Sequence, residues 1–141
     1  MNYTISKMDV VAEKFKFVYS DFADVAATSI TLDLNIQGSD IYLLGAFANV
    51  KTAFAGTLTV PQLKLGYPSY EDYLIPLQSI ALAGQLKSGR GHQLFCNSMA
   101  HPTAKNQAVR LTVQNDTGNL SAYTAGELEI ILVYVAHPIK G

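Results

Sequence analysis

Apolar and polar residues alternate with a period of two over much of this chain, and the alternation marks out strands rather than helices. From Ser29 to Gln37, Ile30, Leu32, Leu34 and Ile36 fall on one side and Thr31, Asp33 and Asn35 on the other, which predicts a half-buried antiparallel strand. Gln107 to Gln114 repeats the pattern, with Val109, Leu111 and Val113 against Arg110, Thr112 and Gln114. Gly38-Ser39-Asp40 supplies turn chemistry, so Ile41 to Val50 is expected to form a hairpin with the first of these strands; Gly45 within it predicts a bulge or a close backbone approach. Lys51 to Gly56 leads into an extended segment from Thr57 to Leu65, where Pro61 predicts a sheet edge or a bend. Met8 to Tyr19 carries two patterns at once. Val11, Phe15, Val18 and Phe22 recur at helical spacing behind Asp9, while Phe15, Phe17 and Tyr19 alternate with Lys14, Lys16 and Val18. The β-favouring residues crowd between Glu13 and Ser20, and that favours a strand.

The last strand, Glu127 to Ala136, departs from the half-buried pattern. Leu128, Ile130, Leu132 and Tyr134 make one face, and after Glu127 and Glu129 the opposite face also turns apolar, with Ile131, Val133 and Val135. A strand apolar on both faces is covered on both, by a second sheet on one side and by further core or a neighbouring subunit on the other. Between Gly66 and Gly91 no period holds. Pro68 and Pro76, with Tyr67, Tyr70 and Tyr73 around Glu71 and Asp72, predict a long connection with one short strand near Tyr73 to Leu77, and connections of that length carry contacts. Gly89-Arg90-Gly91 precedes an expected strand at His92 to Cys96, Asn97 to Asn106 reads as loop, and Asn115-Asp116-Thr117-Gly118 as a turn. The count is about eight strands, with no long helix and no strand-helix alternation. The expected fold is all-β: an antiparallel β-sandwich, jelly-roll-like in its strand number. Residues 1–24 form an N-terminal arm or first strand, and 25–141 one sandwich domain.

Composition sharpens this picture. Of the 141 residues 15% are charged, against roughly a quarter in ordinary soluble proteins, and 49% are hydrophobic. So thinly charged a surface points to assembly. Lys plus Arg number 10 and Asp plus Glu 11, without runs of either sign, so no nucleic-acid partner is expected. No window reaches the ~18 apolar residues of a membrane helix, and the first residues lack a signal-peptide core, so no membrane association is expected. Cys96, the one cysteine, leaves no internal disulfide and reads as a small apolar filler.

Candidate chemistry is sparse. His92, His101 and His137 show no metal-ligand spacing, and no nucleophile elbow or phosphate loop is present. Glu127 with Glu129, and Glu71 with Asp72, are acid pairs that nothing brings face to face across a cleft, as glycoside hydrolysis requires. They read as edge charges and solvated loop acids. No catalytic, cofactor-binding or metal site is expected, and no cofactor. The candidate residues are therefore those of contact surfaces: Ile131, Val133 and Val135 on the last strand, and Tyr67, Tyr70 and Tyr73, a residue type that protein interfaces enrich and sugar sites also use.

Three stretches then carry a family resemblance. Val50-Lys51-Thr52-Ala53-Phe54-Ala55-Gly56-Thr57, Glu71-Asp72-Tyr73-Leu74, and Leu120-Ser121-Ala122-Tyr123-Thr124-Ala125-Gly126-Glu127-Leu128-Glu129-Ile130 running into Val133-Tyr134 resemble, in that order, small structural proteins of tailed bacteriophage virions. These are jelly-roll proteins that decorate or cement the head, or form head and tail appendages. The resemblance spans about Ser29 to Ala136; Met1 to Asp24 and Gly66 to Gly91 fall outside its pattern. It implies a non-enzymatic capsid decoration or cement protein located in the virion and assembled in the bacterial host cytoplasm. The implied partners are further copies of itself, as a homotrimer, and the major capsid protein or other virion proteins. Gly56 and Gly126 are expected at turns, Phe54 and Leu74 as core plugs. The rival reading is a carbohydrate- or receptor-binding module of a virion appendage that uses Tyr67, Tyr70 and Tyr73.

Overall fold

The computed structural model describes residues 9–34, 40–57, 60–68, 70–87 and 109–137. They form eight strands: β1 (Asp9–Val18), β2 (Ser29–Leu34), β3 (Asp40–Gly56), β4 (Pro61–Tyr67), β5 (Tyr70–Ser79), β6 (Gly84–Gln85), β7 (Val109–Asn115) and β8 (Tyr123–His137). Short 3-10 turns at Tyr19–Phe22 and Leu120–Ala122 are the only helical pieces among the described residues, and no helix there is long and apolar enough to cross a membrane. The strands make two four-stranded antiparallel sheets: sheet A in the order β1-β8-β3-β6 and sheet B in the order β2-β7-β4-β5. The chain is an all-β antiparallel sandwich. Its pairings β1/β8, β2/β7, β3/β6 and β4/β5 are nested, as though one long hairpin had been folded over on itself.

The alternation read from the sequence sets what faces inward. Leu128, Ile130 and Leu132 of β8 are fully buried, as are Leu63 and Leu65 of β4 and Leu111 and Val113 of β7. On β1, Val11, Phe15 and Phe17 pack on this core from the sheet edge, so the segment with two competing patterns is a strand. β3 bends where Leu43 and Gly45 skip register against β8, the bulge that Gly45 predicts.

The structure corrects three expectations. β2 and β3 do not form a hairpin: β2 pairs with β7 in sheet B and β3 with β8 in sheet A, so the turn chemistry at Gly38-Ser39-Asp40 belongs to a crossover between sheets. The stretch from Gly66 is no long irregular connection at its start, because β4 and β5 form a tight hairpin there. Of the two alternatives for Pro61 the sheet edge is overturned: it begins an interior strand, between β7 and β5, where the chain has just left β3 of the other sheet, and its position as first residue spares the ladder. The expected strand at His92 to Cys96 and the loop after it lie outside the described residues.

One end of the sandwich is closed by an aromatic cluster. Tyr123 meets Phe22 and Phe54 edge to face, those two rings lie tilted to one another, the centroids are 5.4 to 6.3 Å apart, and all three are buried. The Tyr123 hydroxyl donates to Asn115 Oδ1 at 2.5 Å, and Asn115 Nδ2 donates to the Gly118 carbonyl at 3.0 Å. Burial pushes the Tyr123 hydroxyl well above the ordinary 10.0. Burial, followed by the charge and hydrogen bond of Glu13, raises Tyr134 too. Because both protons are held more tightly in the folded chain, the associated stability is complete below pH 10.0 and is lost as pH climbs past it toward the folded-state values. Denaturant titrations from pH 8 upward are expected to show this loss. Tyr123→Phe should weaken the alkaline dependence and cost about 1–2 kcal/mol at neutral pH, because Asn115 Oδ1 stays buried without its donor.

Candidate interaction surface

The outward side chains of sheet A divide into two halves. Register sets Lys16 beside Glu129 and Asn49, Lys14 beside Ile131 and Phe47, and Ala12 beside Val133 and Gly45. Toward the end of β3 the charges sit together: Lys14 to Glu129 at 3.5 Å, Lys16 to Glu127 at 3.1 Å and Lys51 to Glu129 at 3.6 Å. This charged half lies with the start of β8 and the end of β1, while the apolar half lies with the start of β1, the start of β3 and the end of β8. β8 is a central strand, so Glu127 and Glu129 are not the edge charges expected of them; they hold a three-lysine belt across three strands. Each such exposed pair contributes little alone, and the belt's effect is to keep its half of the sheet in water.

Beyond Lys14 the charges stop. Val10, 67% exposed, Ala12, Phe47, Ile131 and Val133 form an apolar half-face. Val135 continues it by register, paired with Val10 and Tyr42, although its side chain lies outside the described residues. At the boundary is a shallow groove of about 290 Å³ lined by Phe47, Ala48, Asn49, Gln85 and Ile131. The outward face of sheet B is polar instead: Arg110 bonds Asp33 at 3.0 Å and reaches Glu71 at 4.0 Å, with Lys64 at 3.9 Å from the same carboxylate. Glu71 is thus a strand residue in an ion-pair chain and not a loop acid.

The structure brings the three tyrosines together on the β4–β5 hairpin. Tyr67 is buried at 8% exposure, Tyr73 is half-buried and Tyr70 is 64% exposed, so the stack climbs from core to solvent. Ring centroids step 5.8 Å from Tyr67 to Tyr73 and 6.0 Å from Tyr73 to Tyr70. Register runs from Leu65↔Ile75 to Tyr67↔Tyr70, so four residues of β5 lie opposite Gly66 alone. The bulge settles on that glycine, whose absent side chain leaves room for the backbone of Tyr70 and Glu71. The tyrosines and the sheet A half-face share one end of the sandwich, since Leu34, beside Val109 and the end of β4, is joined by a five-residue link to Asp40, beside His137.

Sequence reasoning singled out Ile131 and Val133 but missed Val10, Phe47 and Gln85. Their place beside β8 follows from the strand order, which no local pattern contains. Among the described residues no group of three or more His, Cys, Asp or Glu could hold a metal. His92, Cys96 and His101 lie outside those residues, and His137 ends β8.

The fold and its surface thus define an all-β sandwich whose sheet A carries, among the described residues, an outward apolar half-face. No protein-family model matches the chain, and no curated protein does. Among solved structures, a chain of the cyanophage Pam1 capsid asymmetric unit is similar to it in fold, with a TM-score of 0.53 at 13% identity over 96% of this chain and 91% of that one.

Proposed function

We propose that this chain is a structural protein of a phage virion, and within that class a head decoration or cement protein that assembles as a homotrimer. The strand order β1-β8-β3-β6 facing β2-β7-β4-β5, with nested pairing, supports reading the sandwich as a jelly roll. The likeness in fold to a chain of a cyanophage capsid unit supports the virion setting. The observation that carries the reading is the divided face of sheet A: a salt-bridged half that stays wet beside an apolar half of Val10, Phe47, Ile131 and Val133. Its mechanism is mass action: a subunit that binds only the assembled shell lowers the free energy of that state. No chemical step is assigned to it.

Val133→Asp tests this. Val133 is only half-buried on the outward face, so the variant should keep a native circular dichroism spectrum. It should lose its oligomer by light scattering, and its binding to purified capsids at least tenfold. A wild-type chain that is monomeric and does not bind capsids overturns the proposal, as does a Val133→Asp variant that assembles unchanged.

A second reading has one observation in its favour, the solvent-facing Tyr70 held on a stack rooted in the core. A carbohydrate module would use such a ledge. Titration with host polysaccharide separates the two, since saturable binding abolished by Tyr70→Ala belongs to the sugar reading alone.

A further inference from the structure

β6 is the shortest of the described strands, two residues long, and its attachments are unusual. The chain is firmly rooted just before it: Ile80 is fully buried, donates to the Pro61 carbonyl at 3.0 Å and accepts from Phe54 N at 2.9 Å. Ala81 to Ala83 then run exposed, with Leu82 at 77%. Gly84 to Lys87 lie along β3 through two paired residues, Gly84 opposite Val50 and Gln85 opposite Asn49, and through Leu86 N to the Ala48 carbonyl at 2.9 Å. Gly84, Gln85 and Lys87 are exposed, and only Leu86 packs toward the core.

On its other edge this strap meets no strand among the described residues. The side-chain amide of Gln78, on β5 of the opposite sheet, takes that place: its Oε1 accepts from Lys87 N at 2.9 Å and its Nε2 donates to the Lys87 carbonyl at 2.6 Å. One carboxamide thus reproduces the two-bond pairing of a neighbouring strand, and does so across the open side of the sandwich, tying the edge of sheet A to the edge of sheet B. The same strap forms one wall of the groove through Gln85.

We infer that Gly84 to Lys87 is a latch that opens independently of the rest of the fold, clasped by Gln78, and that it guards the β3 edge against pairing with a second copy of this chain. A strap that, among the described residues, packs only Leu86 toward the core and is clasped by one side chain has the character of the least stable parts of a protein. An uncovered strand edge is a template for another chain. When the latch opens, the backbone of Ala48 to Val50 is left as such an edge beside Phe47. The same edge on another copy meets it antiparallel about a two-fold axis. The inference does not depend on the proposed virion role.

Hydrogen exchange of the full chain tests it. In the wild type the amides of Leu86 and Lys87 should exchange well ahead of those of Leu128 and Ile130. In Gln78→Ala they should quicken by about tenfold or more, the order expected for two lost hydrogen bonds, with the β8 amides unchanged. Gln78→Glu keeps the acceptor for Lys87 N but donates to the Lys87 carbonyl only when protonated. Its strap exchange, corrected for intrinsic rates, should therefore return toward wild type as pH falls through the carboxyl range. Light scattering should show Gln78→Ala gaining mass with concentration relative to wild type. Strap amides that exchange only at the global rate, or that quicken in step with β8, overturn the latch. An open strap with unchanged mass overturns the guard.

Discussion

Gly126→Ala is expected to cost about 3–5 kcal/mol, a large part of the 5–15 kcal/mol that holds a typical domain together. Two separate penalties meet at this position. Gly126 has φ +146, a conformation that residues with a side chain adopt only under about 1–3 kcal/mol of strain. A Cβ there also drives into the ring of Phe54, which lies flat over the glycine, and overpacking a fixed core costs about 1–3 kcal/mol more. The ring cannot retreat, because Phe22 and Tyr123 hold it on its other sides. Denaturant unfolding at neutral pH measures the loss; a change under 1 kcal/mol would show that ring and backbone both yield freely.

Phe54→Ala should cost about 3–5 kcal/mol, the usual range for emptying a buried phenylalanine site. Phe54 is 2% exposed, and its ring packs against both Phe22 and Tyr123. The two substitutions should not add. Without the ring, the methyl introduced by Gly126→Ala has space, so the double variant should be more stable than the sum of the singles predicts. The remaining excess over Phe54→Ala alone then measures the backbone strain by itself.

Phe54 and Gly126 were both legible as architectural residues, but their relation was not. Gly126 reads as a turn residue, whereas it sits inside β8 with an aromatic ring over it. Gly56 needs its missing side chain for a different reason from the expected turn, since the backbone of Ala122 lies against it. β2, β7 and β8 follow directly from their alternation, which each carries within itself. The β4–β5 hairpin did not, because the bulge opposite Gly66 sets Leu74 and Ile75 side by side in the core and erases the period of two. The β2–β3 connection failed for another reason: turn residues specify a change of direction, and say nothing about which sheet the chain enters next. The contact surface was half-legible. Ile131 and Val133 announced themselves as a second apolar face on one strand, while Val10 and Phe47 join them only through register with β8. The Gln78 clasp left no local sign at all, since a glutamine in a strand is ordinary until its partner segment is placed.

The nested pairing of the strands bears on how the chain comes into being. β8 is the last described strand to leave the ribosome, yet sheet A places it between β1 and β3, pairing with both. Until it emerges, β1 has no neighbour among the described strands and the long β3 lacks its main one, so that half of the sandwich waits for β8. Pairings between segments so far apart in sequence are also slow to find one another. The nascent chain therefore carries Phe15, Phe17 and Phe47 without the cover of β8 until that strand has emerged, the interval in which it depends most on chaperones.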